Sequence, residues 1–298
     1  MDPNHIHLDN AATSWPKPAP VLETMQEWFV ELGVDAHRGG SGRNLVVGQR
    51  IQRLRTELGK LVGVPGQQVI LGSGATWACN LFLKGFLKPG MRVWTSEWEH
   101  NAVARPLMGL SRRQDIQVEI LPGVGSGVLN TDDLEKQLAE GPAPDLLALN
   151  HASNVTGEVQ DLEPLIAWAR SHGIPSFVDV AQSAGRLDLG SLGADAYAIP
   201  GHKGLMGPPG VGALCLREPR TLAPLLEGGT GSTHATDRMP EELPQAHEAG
   251  TPNSPGLLAW LAGIQWVQEQ DPAALLAQEL AHLDLLRREL APLVEEDR

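Results

Sequence analysis

Short apolar runs alternate along this chain with longer stretches whose apolar positions recur every three or four residues. The runs are Val69-Ile70-Leu71, Arg92-Val93-Trp94-Thr95, Asp145-Leu146-Leu147-Ala148-Leu149, Ser176-Phe177-Val178, Ala196-Tyr197-Ala198-Ile199 and Gly212 to Leu216. Runs of this length without polar alternation read as strands covered on both faces. Helical spacing occupies 20–33, ending at Gly33, then 45–62, 77–87, 162–172, 256–270 and 273–290. The stretch 103–145 alternates helix and strand, with a polar turn at Gly123 to Gly127. Strands separated by helices predict an α/β fold with a mostly parallel sheet flanked by helices. The 256–270 segment is apolar almost all round, the pattern of a buried or interface helix. The last helix carries Leu276, Leu280, Leu283 and Leu290 as one stripe. No internal repeat or low-complexity linker interrupts the alternation.

Two strand ends carry reactive groups. The run Ser176-Phe177-Val178 stops on Asp179, and the run ending at Ile199 opens into Pro200-Gly201-His202-Lys203-Gly204. Open α/β sheets bind ligands at the carboxyl ends of their strands. An amine held in a tight, partly desolvated turn can lose its proton and attack a carbonyl. An acid and an amine at neighbouring strand ends are the pair that pyridoxal phosphate requires, the amine for the aldehyde and the acid for the ring nitrogen. A third strand end, Gly72-Ser73-Gly74-Ala75-Thr76, leads directly into a helix. Free N–H groups and the helix dipole make such a junction an anion site. No Gly-Lys-Ser/Thr closes it, so it is not a Walker A loop.

Composition narrows the partners. The 298 residues carry a net charge of −13 with 20 % charged and 42 % hydrophobic residues. An acidic chain without basic blocks does not suit nucleic acid. Two cysteines, Cys79 and Cys215, give neither a disulfide framework nor zinc-ligand spacing. No apolar run is long enough for a membrane helix and the start lacks a signal-peptide pattern, so a cytoplasmic protein is expected. His5-x-His7-x-Asp9 places alternate residues on one strand face, as in some metal hydrolases. No matching ligand set follows downstream, so an N-terminal arm is the expected structure and no metal is assigned.

The stations Asp179-Val180-Ala181-Gln182, Gly201-His202-Lys203 and Gly207-Pro208-Pro209-Gly210-Val211-Gly212 resemble the class V pyridoxal-phosphate enzymes. Leu8-Asp9-Asn10-Ala11-Ala12-Thr13, Glu99-His100-Asn101-Ala102, Ser153-Asn154-Val155-Thr156-Gly157 and Ala249-Gly250-Thr251-Pro252-Asn253 extend the likeness. It is nearest to the cysteine desulfurase and selenocysteine lyase branch. The resemblance implies a fold-type-I large domain over 21–255, an N-terminal arm over 1–20, and a helical connection over 256–298 to a small domain that is largely absent. It implies Lys203 as the cofactor lysine and His100 as the residue that stacks on the ring and moves protons. Gly74, Ala75, Thr76 and His202 would hold the phosphate, Asn154 and Gln182 the ring hydroxyl oxygen, and Asp179 the ring nitrogen. Pro200 stands where many relatives have a phosphate-binding serine. Thr251 would approach the phosphate of a partner subunit in a homodimer. Arg38, Arg43 and Asn10 are candidate substrate contacts.

The resemblance covers about three-quarters of a typical relative. The part without a counterpart supplies, in cysteine desulfurases, a carboxylate-gripping arginine and a sulfur-accepting cysteine. By position neither Cys79 nor Cys215 takes that role. The expected activity is C–S or C–Se cleavage of a cysteine-like amino acid, with a sulfur-acceptor protein as a possible partner. A class V aminotransferase, lyase or epimerase would use the same cofactor residues. A silent homologue that binds cofactor or only dimerises is the alternative from a different class.

Overall fold

The computed structural model describes residues 7–36, 41–123, 129–231 and 237–296. Seven strands form one sheet: β1 (Val69–Gly72), β2 (Arg92–Ser96), β3 (Gln117–Leu121), β4 (Leu146–Asn150), β5 (Ser176–Asp179), β6 (Ala196–Pro200) and β7 (Gly212–Leu216). Their spatial order is β1-β7-β6-β5-β4-β2-β3. Only β7 runs against its neighbours, pairing antiparallel with both β1 and β6, while the remaining pairs are parallel. The mostly parallel α/β sheet expected from the sequence is therefore present.

Alternate residues of the strands enter two separate cores, as a period of two requires. Val178, Tyr197 and Cys215 face one layer, Phe177, Ala198 and Leu214 the other. The first layer is closed by α2 (Gly42–Val62), α6 (Leu162–Ser171) and α7 (Ser254–Glu269), with Leu54, Leu165 and Trp260 all buried. The second is closed by α3 (Ala75–Phe86) and α4 (Asn101–Gln114), through residues such as Phe82 and Leu107. Helices α5 (Thr131–Glu140) and α8 (Pro272–Glu296) complete the set, with α1 (Ala19–Glu27) at the start.

Several boundaries differ from those read off the sequence. The first helix gives way after Glu27 to a π-helical turn, Trp28–Leu32, which Gly33 closes at φ +56°. Helix α2 begins at Gly42 because Ser41 and Asn44 form a reciprocal capping box. Helix α3 begins two residues earlier than its apolar spacing suggested, so Ala75 and Thr76 lie in its first turn. Strand β4 is shifted by one residue and ends on Asn150. Helix α7 is buried as its composition required. Helix α8 instead leaves Leu280, Leu283, Leu286 and Leu290 each between 39 % and 51 % exposed. Arg186 links it to the body through an ion pair with Glu279. The expected turn at 123–127 lies mostly outside the described residues.

Strand register sets the working edge. Asp179 is paired opposite Asn150 on one side and Ala198 on the other, so β4 and β5 end together and β6 runs on to Pro200. The antiparallel β7 adds its first residue, Gly212, opposite both Gly72 and Pro200. The turn after β1 and the turn after β6 thus meet at one edge. The β1 end is held from behind by a buried pair. Arg55 donates from both terminal nitrogens to the Glu248 carboxylate at 2.7 Å, and Glu248 Oε1 accepts from Leu71 N–H at 2.6 Å. The two side chains are only 2 % and 15 % exposed.

Removing one member of such a pair strands the other in a dry site. Glu248→Ala or Arg55→Met should each lower unfolding stability by about 3–5 kcal/mol, while Arg55→Met with Glu248→Leu should recover most of it. Urea unfolding of the three variants checks this.

Candidate active site

The edge opens into a cavity of about 880 Å³. Lys203, Asp179, His100, Asn154 and His202 line it, together with Gly74, Ala75 and Thr76. Five separate loops and strand ends, far apart in the chain, bring these side chains together.

Gly74 is the N-cap of α3 at φ +150°, and no side chain caps the first-turn amides. A β-carbon on Gly212 would lie 2.4 Å from Gly74 Cα. The absence of a side chain at Gly212 therefore lets the turn pack directly against the sheet edge. Along α3, Thr76, Asn80 and Lys84 all line the cavity at four-residue spacing. That stripe covers two helical turns, about 12 Å.

Asp179 is 3 % exposed and its Oδ1 accepts from Ala181 N–H at 2.9 Å. Burial raises its pKa, against the Ala181 hydrogen bond and the nearby His100 and Lys203, which pull it down. Burial lowers the pKa of the Lys203 amine, and the Asp179 charge opposes that shift. His202 is held below the usual imidazole range by burial first, then by the charges of Lys203 and Lys17. His100 is the N-cap of α4, and its Nδ1 accepts from Ala102 N–H at 3.1 Å. That contact places the proton of the neutral ring on Nε2.

The Lys203 turn is gripped from three sides. A β-carbon on Gly207 would meet the Trp260 ring at 2.6 Å, so the turn lies directly on α7. Arg186 Nη1 donates to Gly204 O at 3.2 Å. Ser14 Oγ reaches Lys203 O at 2.8 Å from the N-terminal arm. The arm also supplies cavity wall through Asp9, Ala11 and Ala12.

Other residues singled out from the sequence lie elsewhere. Gln182 does not line the cavity; its Nε2 donates to Ala11 O at 3.1 Å. Thr251 lines a second cavity of about 260 Å³, which shares Ser73, Trp77 and Gly210 with the first. Asn10 is engaged in the turn of its own arm, donating to His7 O and accepting from Trp15 N–H. Arg43 is exposed and donates to Glu31 O, away from the cavity. Arg38 and His5 lie outside the described residues. His7 Nε2 contacts Thr13 O at 3.3 Å. Both cysteines are buried and neither lines the cavity.

Glu99 was not anticipated. It precedes His100 in the chain and is half-buried, with Oε1 accepting from Ser96 Oγ at 2.7 Å and Asn150 N–H at 2.9 Å. Its Oε2 is buried with no partner among the described residues. Burial, with the Asp179 charge adding to it, raises this carboxyl to about 8. Only its position beside His100 was visible in the sequence. Asp9, Asn80 and Lys84 were also missed; the four-residue spacing from Thr76 is the signal that could have found the last two.

No helix among the described residues is long and apolar enough to cross a membrane. A probable cysteine desulfurase of Pyrococcus abyssi is 30 % identical over 277 residues, covering 89 % of this chain and 67 % of that protein. The apo structure of a cysteine desulfurase from Thermococcus onnurineus aligns with a TM-score of 0.87 at 30 % identity, over 97 % of this chain and 73 % of the other. The cysteine desulfurase CsdA of Escherichia coli, solved as its S-sulfonic acid, aligns with a TM-score of 0.81 at 27 % identity, covering 95 % and 72 %. The aminotransferase class-V profile matches residues 6–296, and with these relatives on either side of the alignment the chain belongs to that family, in its cysteine desulfurase-like part.

Proposed function

We propose that this chain is a pyridoxal 5'-phosphate enzyme that cleaves the C–S bond of cysteine or a close analogue. The observation that carries the reading is one cavity lined at once by Lys203, the buried Asp179 and the uncapped start of α3. That donor set fits the cofactor: N–H groups for a phosphate, a carboxylate for a ring nitrogen, and an amine for an aldehyde. When bound, the cofactor supplies an aromatic ring that draws electrons from the substrate α-carbon.

The chain's own residues do the rest. Ala75 and Thr76 amides, the Thr76 hydroxyl and neutral His202 hold the phosphate. Asp179 keeps a proton on the ring nitrogen. His100 covers the ring face with its Nε2 proton available, and Asn154 donates to the ring oxygen. Lys203, once freed as an amine, takes and returns a proton at the substrate α-carbon. Glu99 supports this arrangement by staying protonated, which leaves Asp179 as the charged member of the two buried acids.

Cys79 and Cys215 are buried, and burial pushes both thiols up, so neither receives the sulfur. An added dithiol balances the reaction: cysteine plus dithiol gives alanine, sulfide and a cyclic disulfide. A homodimer in which the 248–253 loop of one copy meets the phosphate end of the other belongs to the same reading, as does a cytoplasmic location and an acceptor protein for the sulfur. Selenocysteine is the second substrate to test. One observation favours a silent cofactor-binding homologue: among the described residues no arginine lines the cavity to grip a substrate carboxylate.

Protein loaded with pyridoxal phosphate should show a visible band that borohydride bleaches and that Lys203→Ala lacks. With cysteine and dithiothreitol it should release alanine and sulfide in equal amounts. Lys203→Ala should lower the rate by about 10²–10⁴-fold. Bound cofactor without turnover on cysteine or selenocysteine would establish the silent reading, and no bound cofactor would sink both.

The shared proton gives a second expectation. A carboxyl raised from 4.5 to about 8 keeps in the folded state a proton that the unfolded chain releases. Its contribution is complete below the unfolded value and disappears as pH rises toward 8, by up to about 1.4 kcal/mol per pH unit. Glu99→Gln should gain stability relative to wild type as pH rises from 5 to 8. Parallel urea-stability curves across that range would contradict the assignment.

A further inference from the structure

The peptide groups on either side of Lys203 are held by a relay that begins at Lys17. The carbonyl of His202 receives Lys17 Nζ at 2.8 Å, Ser14 Oγ at 3.0 Å, Ser14 N–H at 3.1 Å and Thr13 Oγ1 at 3.2 Å. A carbonyl oxygen has two lone pairs and cannot take all four at full strength. Counting hydrogens resolves the sharing. Lys17 also donates to Ser14 Oγ at 2.7 Å. Ser14 has a single hydroxyl hydrogen, and its shorter contact is Lys203 O at 2.8 Å. With the ammonium covering the His202 carbonyl, the Ser14 hydrogen is free for the Lys203 carbonyl. Both peptide planes flanking the Lys203 α-carbon are then fixed, and with them the direction in which its side chain leaves the backbone.

We propose that Lys17 is a positioning residue for cofactor capture, acting directly on the His202 carbonyl and through the Ser14 hydroxyl on the Lys203 carbonyl. This rests on the cofactor reading above. Lys17 is half-buried and among the described residues pairs with no carboxylate, so its ammonium is committed to the turn. Burial lowers its pKa to about 8, the cost of seating a charge there. Its charge also helps to keep the cavity-lining His202 neutral, after burial and Lys203. The arm that carries it walls the same cavity through Ala11 and Ala12.

Titration of the apo protein with pyridoxal phosphate, followed by the visible band, gives the dissociation constant directly. Lys17→Met and Ser14→Ala should each weaken binding by about tenfold, a typical loss for a charge-assisted hydrogen bond. Because the two side chains contact each other and share the His202 carbonyl, the double variant should lose less than the two single losses combined. Rescue separates positioning from packing. Lys17→Cys treated with bromoethylamine carries a lysine-like side chain at that site alone, since Cys79 and Cys215 are buried. The treated variant should regain wild-type affinity. Binding by Lys17→Met within twofold of wild type, additive losses in the double variant, or no rescue on aminoethylation would overturn the inference. A wild type that forms no borohydride-sensitive band would instead remove the cofactor reading itself.

Discussion

An amine must stand near a buried carboxylate without being held permanently as its salt. That requirement governs the carboxyl edge of this sheet. Burial pushes the Lys203 amine toward its neutral form and the Asp179 carboxyl toward its own, while each opposes the other's shift. Neither group is left to solvent, which would restore ordinary proton affinities, nor joined in a direct ion pair, which would immobilise the amine. Both groups line one cavity, and the rest of the fold keeps them there.

It does so mainly by register and by close backbone approach. Parallel pairing sets Asp179 level with Asn150 and Ala198, so β4 and β5 stop at one line and β6 carries the chain just past it to the Lys203 turn. The antiparallel β7 closes the gap between the turn after β1 and the lysine turn, because Gly212 is paired with residues of both flanking strands. At that crossing a side chain would overlap Gly74. Packing here specifies a position for backbone amides rather than a hydrophobic volume.

Much of this edge was legible in the sequence because its signals are local. A strand that stops on Asp179, a glycine-bounded turn around Lys203 and a glycine turn before a helix each appear within a few consecutive residues. The order of strands and helices was legible for the same reason. Contacts between distant segments were not. Lys17 reaches a carbonyl 185 residues away, and Arg55 a carboxylate 193 residues away. Glu99 sits next to a residue that was singled out, yet its burial depends on Asn150 from another strand. Asn10 and Arg43 looked free in the sequence because nothing local shows that turns of their own neighbourhood use them. The capping box that starts α2 needs only residues 41–44, but it competes with a glycine-rich approach that hides it.

Arg186 has two appointments. Its guanidinium grips Glu279 on α8, and the same group holds the carbonyl of Gly204, the residue after Lys203. Helix α8 makes that connection while presenting a row of leucines to water. A largely exposed helix and the turn that carries Lys203 are therefore stapled together by one guanidinium.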